Sequence, residues 1–126
     1  MSERGVLVVD DNATNLKLIT VLLRTEGYSV RTASSAEEAW GSIQAALPDL
    51  VLMDVQLPGM DGLTLTRKLR ADPSMQQLRI VALTAYAMPD DRQRALDAGC
   101  DAYIAKPIDT RGFPRLVREL LSKSRG

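Results

Sequence analysis

Histidine is missing from this 126-residue sequence, and Cys100 is its single cysteine. Without histidine the chain cannot carry serine–histidine or cysteine–histidine catalysis, most zinc sites, or a histidine phosphodonor. One cysteine can form neither an internal disulfide nor a thiolate metal cage, which predicts a reducing, cytoplasmic location. No apolar run approaches the roughly 18 residues of a membrane span, so no membrane contact is predicted.

An excess of either charge is also missing, since 16 basic residues balance 16 acidic ones. Proteins held to nucleic acid by phosphate neutralisation normally carry a basic excess, so no nucleic-acid partner is predicted. What the sequence does have is 45% hydrophobic and 25% charged residues, the mix of a folded globule. The length fits one domain over residues 1–126.

Five short apolar runs recur along the chain and predict five β-strands: Val6–Val9, Val30–Ala33, Leu50–Met53, Ile80–Leu83 and Ala102–Ile104. Nearly continuous apolar runs are typical of parallel strands that are covered on both faces. Helical patterns separate the runs and predict five helices. Repeated βα units indicate an α/β fold with a doubly wound parallel sheet, and the strand order 2-1-3-4-5 of flavodoxin-like folds is the natural choice.

The helix ends carry their own signals. Ser34 and Ser35 each precede a glutamate by three residues, which predicts a doubled capping box at the second helix. Pro114 falls early in the fifth helical pattern, where its ring removes a backbone hydrogen bond. Either that helix starts late, with Pro114 near its first turn, or its first turn is irregular.

Polar side chains mark the carboxyl ends of the predicted strands: Asp10 and Asp11, Asp54, Thr84 and Lys106. Strands one and three are neighbours in this order, so the three carboxylates are expected to converge on one crevice. Crowded carboxylates favour a cation, and hard oxygen ligands favour Mg²⁺ or Mn²⁺. Alone, each aspartate could be a cap or turn residue and the lysine merely solvated; their coincidence favours a site.

Four sequence motifs carry a family resemblance over about Val6 to Leu121. They are Val8-Val9-Asp10-Asp11-Asn12, Leu52-Met53-Asp54 with Leu57-Pro58-Gly59-Met60-Asp61-Gly62, Leu83-Thr84-Ala85, and Ala105-Lys106-Pro107. In these the chain resembles the receiver domain of bacterial two-component response regulators. The segments 82–88 and 98–104 look most like stand-alone regulators and receivers attached to hybrid histidine kinases.

The resemblance implies a phosphorylation switch in a phosphorelay. Asp54 would become an aspartyl phosphate by accepting a phosphoryl group from the phosphohistidine of a histidine kinase or histidine phosphotransfer protein. Asp11, Asp54 and the backbone carbonyl of Gln56 would ligate Mg²⁺, with Asp10 acting mainly through bound water. Such a domain assists its own phosphorylation and dephosphorylation and is not a turnover enzyme.

The resemblance also assigns the remaining roles. Lys106 and Thr84 would contact phosphoryl oxygens, and switching would couple Thr84 to Tyr103, whose plainer interpretation is a half-buried strand aromatic. The Lys106–Pro107 bond would be cis. The output would pass to a downstream protein target, and the protein is expected to be a monomer.

The partner is expected to dock beside the crevice, on the start of the first helix and the loop after the fifth strand. The candidate contacts are Thr14, Asn15, Leu18, Pro107 and Ile108. Core packing is an equal alternative for Leu18.

Three other functions compete. An aspartate-nucleophile phosphohydrolase would carry Asp-x-Asp after the first strand, where this chain has adjacent aspartates. A flavodoxin-type electron carrier would have a hydroxyl-rich first loop. A scaffold that binds partners without phosphorylation would not need the full acidic set.

Overall fold

The secondary structure alternates between strands and helices throughout. A computed structural model describes residues 4–57, 59–84 and 89–122; Pro58 and Ala85, which belong to the motifs above, lie outside the described residues. The strands are β1 (Gly5–Val9), β2 (Ser29–Ala33), β3 (Leu50–Asp54), β4 (Arg79–Thr84) and β5 (Ala102–Ala105). The α-helices are α1 (Ala13–Thr25), α2 (Ala36–Ala45), α3 (Gly62–Ala71), α4 (Pro89–Ala98) and α5 (Phe113–Ser122).

The five strands form one parallel sheet in the order β2-β1-β3-β4-β5, which confirms the predicted fold. Val9, the last residue of β1, pairs with Met53 in β3. The residues that follow, Asp10 and Asp54, therefore sit level with one another at the carboxyl edge. This register places the polar residues at the ends of β1 and β3 side by side.

The continuous apolar strands divide their side chains between the two faces of the sheet, because successive residues of a strand point in opposite directions. In β1, Leu7 and Val9 join the core beneath α2, α3 and α4, whereas Val6 and Val8 join the core beneath α1 and α5. Both faces are thus covered by helices, as the sequence predicts.

The helix ends confirm most of the sequence signals. Ser35 caps α2 by accepting a hydrogen bond from the Glu38 backbone N–H. The predicted second capping box, between Ser34 and Glu37, is replaced by a contact with Glu38, whose carboxylate accepts the Ser34 backbone N–H and hydroxyl. Helix α5 begins at Phe113, so Pro114 lies in its first turn, where its missing N–H costs little. In the described ranges, no helix combines the length and the apolar character that crossing a bilayer requires.

Arg70 joins three segments at the amino-terminal edge of the sheet. Its guanidinium donates to the carbonyls of Met75, Leu78 and Gly99 at 3.1, 2.6 and 2.9 Å. It also pairs with Asp101 at 2.9 Å, and the same carboxylate oxygen accepts the Ile80 backbone N–H at the start of β4. The side chain thereby ties the end of α3 to the segments that flank β4 and precede β5.

Trp40 lies half-buried on α2, against the core beneath α2, α3 and α4. The Lys68 ammonium of α3 sits 5.0 Å from the centroid of its ring, a cation–π contact. Met60, from the connection that follows β3, lines the same small surface pocket as this pair.

Candidate functional site

Three carboxylates meet at the carboxyl edge of the sheet, as the sequence predicts. One carboxylate oxygen from each of Asp10, Asp11 and Asp54 lies within 4.8 Å of the other two. Asp10 follows β1 and is completely buried, Asp54 ends β3 with 6% of its surface exposed, and Asp11 is exposed. The cluster is therefore open to solvent on the side of Asp11.

Lys106 bridges the two buried carboxylates from the end of β5. Its Nζ donates to Asp10 Oδ2 at 2.8 Å and to Asp54 Oδ2 at 3.0 Å. Burial by itself would lower the pKa of Lys106, but the hydrogen bonds to these carboxylates, together with their negative charges, raise its pKa overall. The ammonium is thus held charged between two anions.

Burial disfavours the charged form of the Asp54 carboxylate. Its pKa is raised mainly by burial and further by the charge of Asp10, against the opposing hydrogen bonds from Lys106 and from the Gln56 backbone N–H. The latter bond, to Asp54 Oδ1, measures 3.0 Å. In this cluster one ammonium faces three carboxylates.

The donor set fits a small divalent cation. A hard cation such as Mg²⁺ or Mn²⁺ takes carboxylate oxygens as ligands and retains part of its water shell. Asp11 offers a solvent-exposed carboxylate beside the two buried ones. Because a single ammonium faces the three carboxylates, their mutual repulsion gives such a cation a further electrostatic reason to bind.

Thr84 and Tyr103 lie on the same face of the sheet, on the neighbouring strands β4 and β5, but they do not pair with each other. Thr84 ends β4 and is 3% exposed, and it pairs with Ala105, whereas Tyr103 pairs with Ala82. Thr84 also lines an open pocket of about 410 Å³ together with Gln56 and Asp61. The coupling between the two residues stays a prediction.

A sequence model of the response regulator receiver domain matches residues 6–118. The chain belongs to the response regulator receiver family.

Relatives over the full length agree with this assignment. The polar-differentiation response regulator DivK of Brucella ovis is 37% identical over 118 residues, which cover 94% of this chain and 96% of DivK. A putative response regulator of Chloroflexus aurantiacus superposes with a TM-score of 0.92 at 36% identity, covering 97% of this chain and all of the other.

A third relative bears on the acidic cluster. The receiver domain of the sensor histidine kinase PA1611 of Pseudomonas aeruginosa has 34% identity and a TM-score of 0.88, covering 97% of this chain and 100% of that one. It was solved with a magnesium ion in its active-site cleft.

Family membership decides between the functions that the sequence left open. This receiver domain is a signalling switch of phosphorylation-dependent two-component systems rather than a classical enzyme. The phosphohydrolase and electron-carrier alternatives are therefore set aside. The Lys106–Pro107 bond is cis, as the resemblance implied.

The residues predicted to contact the partner differ in their exposure to solvent. Thr14 and Pro107 are exposed and Leu18 is 38% exposed, so these three offer surface, whereas Ile108 is half-buried and packs against the core beneath α1 and α5. Asn15 is half-buried, and its side-chain amide donates to Asp10 Oδ2 at 3.4 Å. Sequence reasoning missed this contact, although Asn15 lies on the first turn of the helix that follows Asp10.

Replacing Asp54 by asparagine should stabilise the fold at neutral pH. The folded-state pKa of Asp54 is raised above its ordinary value, so its ionisation opposes folding. Its contribution to stability is complete below the pKa of the unfolded state and is lost as the pH rises through the folded-state pKa. We expect Asp54→Asn to raise the Tm at pH 7, and this gain should vanish at acidic pH.

Calorimetry of the metal-free protein across this pH range measures the effect. Asp97→Asn, which removes an exposed carboxylate from α4, serves as the control for the loss of one negative charge. A lower Tm for Asp54→Asn at pH 7 would contradict the expectation.

Proposed function

We propose that this receiver domain accepts a phosphoryl group on Asp54 from the phosphohistidine of a histidine kinase or histidine phosphotransfer protein. The observation that carries the proposal is the Lys106 ammonium, which lies 3.0 Å from Asp54 Oδ2 inside a cluster of carboxylates. A cation fixed beside a nearly buried carboxylate is what a transferring phosphoryl group requires, because negative charge accumulates on its oxygens.

The chemistry follows from the side chains present. An Asp54 oxygen attacks phosphorus, the bond from phosphorus to the histidine nitrogen breaks, and that nitrogen keeps the electron pair. Lys106 acts as a point charge on one phosphoryl oxygen, and the Thr84 hydroxyl donates to another. Mg²⁺ or Mn²⁺, held by Asp11, Asp54 and the Gln56 carbonyl and through water by Asp10, would offset charge on the transferring oxygens.

We further propose that residues 1–126 form one receiver domain, which works as a monomer in the cytoplasm. The two core clusters that support the domain share a single sheet. The signal would pass by protein contacts to a downstream target, through a switch that couples Thr84 to Tyr103.

Incubation with acetyl phosphate and Mg²⁺ tests the proposal. Mass spectrometry of the intact protein should show the gain of one phosphoryl group, and reduction of the acyl phosphate before digestion should place it on Asp54. No Mg²⁺-dependent labelling, or labelling of another residue, would refute the proposed function.

Magnesium binding should depend on the carboxylate cluster and not on net charge, which is zero. We expect Asp11→Ala to weaken Mg²⁺ binding at least about tenfold, because it removes one of three converging carboxylates. Titration followed by amide NMR shifts gives the affinities. Asp97→Ala makes the same charge change far from the cluster and should bind as wild type does; equal affinity in Asp11→Ala would show that the site is misassigned.

Partner docking should use Thr14 and Ile108, which flank the acidic cluster on α1 and on the segment after β5. Introducing a charge with Thr14→Glu or Ile108→Glu should slow phosphotransfer from a phosphorylated partner about tenfold, through weaker association. Labelling by acetyl phosphate should stay unchanged, because the site itself is intact. Equal losses by both routes would mean that these positions act on the site.

A further inference from the structure

The Asp10 carboxylate is buried from bulk solvent, and three protein donors hold its oxygens. Oδ1 accepts the Asn12 backbone N–H at 2.9 Å. Oδ2 accepts Lys106 Nζ at 2.8 Å and Asn15 Nδ2 at 3.4 Å. Two side-chain donors, one charged and one neutral, therefore share a single oxygen.

The two donors differ in what else holds them. Lys106 is shared with Asp54 at 3.0 Å, so new anionic oxygens on Asp54 would draw its ammonium away from Asp10. Asn15 is fixed from the other side, because its backbone N–H donates to the Asn12 side chain that caps α1, at 3.1 Å. The start of α1 therefore aims the Asn15 amide at Asp10 independently of Lys106.

We propose that Asn15 is a positioning residue, whose neutral side-chain amide holds the Asp10 carboxylate in place for the bound cation. A neutral donor suits this position, since a second ammonium would compete with the cation and a carboxylate would repel Asp10. Asn15 thus acts through Asp10, a role distinct from the partner contact that the sequence predicts. The inference rests on the proposed function, in which Asp10 contributes to the metal site.

A double-mutant cycle tests this coupling. Mg²⁺ affinity is measured for wild type, Asn15→Ala, Asp10→Asn and the double variant, with Thr14→Ala as a control one residue away on the exposed face. We expect Asn15→Ala to weaken binding about tenfold and Thr14→Ala to leave it unchanged. In the Asp10→Asn background, Asn15→Ala should change the affinity by less than about twofold, since the carboxylate that it holds is gone.

A second measurement needs neither metal nor a substitution at Asn15. The side-chain amide NMR signals of Asn15 in the metal-free protein should shift when Asp10 is replaced by asparagine, whereas those of Asn12 should shift less. Unshifted Asn15 signals would overturn the proposal even if Asn15→Ala failed to fold.

The remaining outcomes also discriminate. Wild-type Mg²⁺ affinity in Asn15→Ala, or equal losses with and without the Asp10 carboxylate, would overturn the coupling. Normal Mg²⁺ affinity combined with slower transfer from a phosphorylated partner would assign Asn15 to the docking surface. If wild type itself bound no Mg²⁺, the proposed function would fail, and this inference with it.

Discussion

Asp54→Asn is expected to accept no phosphoryl group from acetyl phosphate or from a phosphorylated partner. The carboxamide has nearly the same shape as the carboxylate but lacks the nucleophilic anionic oxygen, so the acyl phosphate cannot form. The loss should be complete, because the other buried carboxylate, Asp10, is occupied by Lys106, Asn12 and Asn15. Intact-protein mass spectrometry after incubation with donor and Mg²⁺ measures it.

The calorimetry of the same variant shows whether it is folded, which separates unfolding from loss of the acceptor oxygen. Asp61→Asn is a suitable control, because Asp61 is an exposed aspartate that caps α3 near the site. It should be labelled at close to the wild-type rate. Stoichiometric, Mg²⁺-dependent labelling of Asp54→Asn would show that another residue is the acceptor.

Arg70→Ala is expected to destabilise the fold by about 3 kcal/mol, because it breaks a partly buried ion pair and three hydrogen bonds from a charged donor at once. The Arg70 side chain is 11% exposed, and its loss leaves the carbonyls of Met75, Leu78 and Gly99 without this donor and Asp101 without its cation. Unfolding in urea, monitored by circular dichroism, gives the free energy difference.

Arg67→Ala is the matched control for this measurement, because Arg67 lies on the same helix but is exposed. Substitutions at such positions usually change stability by less than about 0.5 kcal/mol. Arg70→Lys should recover only part of the loss, since an ammonium cannot reproduce the fork of the guanidinium. A loss in Arg70→Ala as small as that in Arg67→Ala would contradict the role of Arg70.

The sheet and the acidic cluster could be predicted because both depend on repeating local signals. Continuous apolar runs identify parallel strands, and the right-handed crossover rule leaves few strand orders. Once the strand order is fixed, Asp10 and Asp54 must be neighbours, because they lie at the carboxyl ends of the adjacent parallel strands β1 and β3. Lys106 follows by the same reasoning from the end of β5.

Side-chain contacts between segments could not be predicted in this way. From the sequence, Arg70 cannot be distinguished from an exposed helical arginine, because its partner Asp101 lies 31 residues away in the chain. Asn15 lies only five residues after Asp10, but the sequence does not show whether its side chain turns back toward Asp10 or outward to solvent. Two glutamates fit the α2 capping pattern equally, and only the geometry shows that the Glu38 side chain accepts both bonds from Ser34, while Ser35 accepts the Glu38 backbone N–H.

The contact between Trp40 and Lys68 has a practical consequence for watching this domain at work. Trp40 is the chain's single tryptophan, so its fluorescence reports on the packing of α2 against α3 and not directly on the acidic cluster. Met60 connects this packing to the segment after Asp54. We therefore expect acetyl phosphate to change the Trp40 emission of wild type but not of Asp54→Asn. Such a change would show, without an added label, that phosphorylation at the end of β3 alters the packing between α2 and α3.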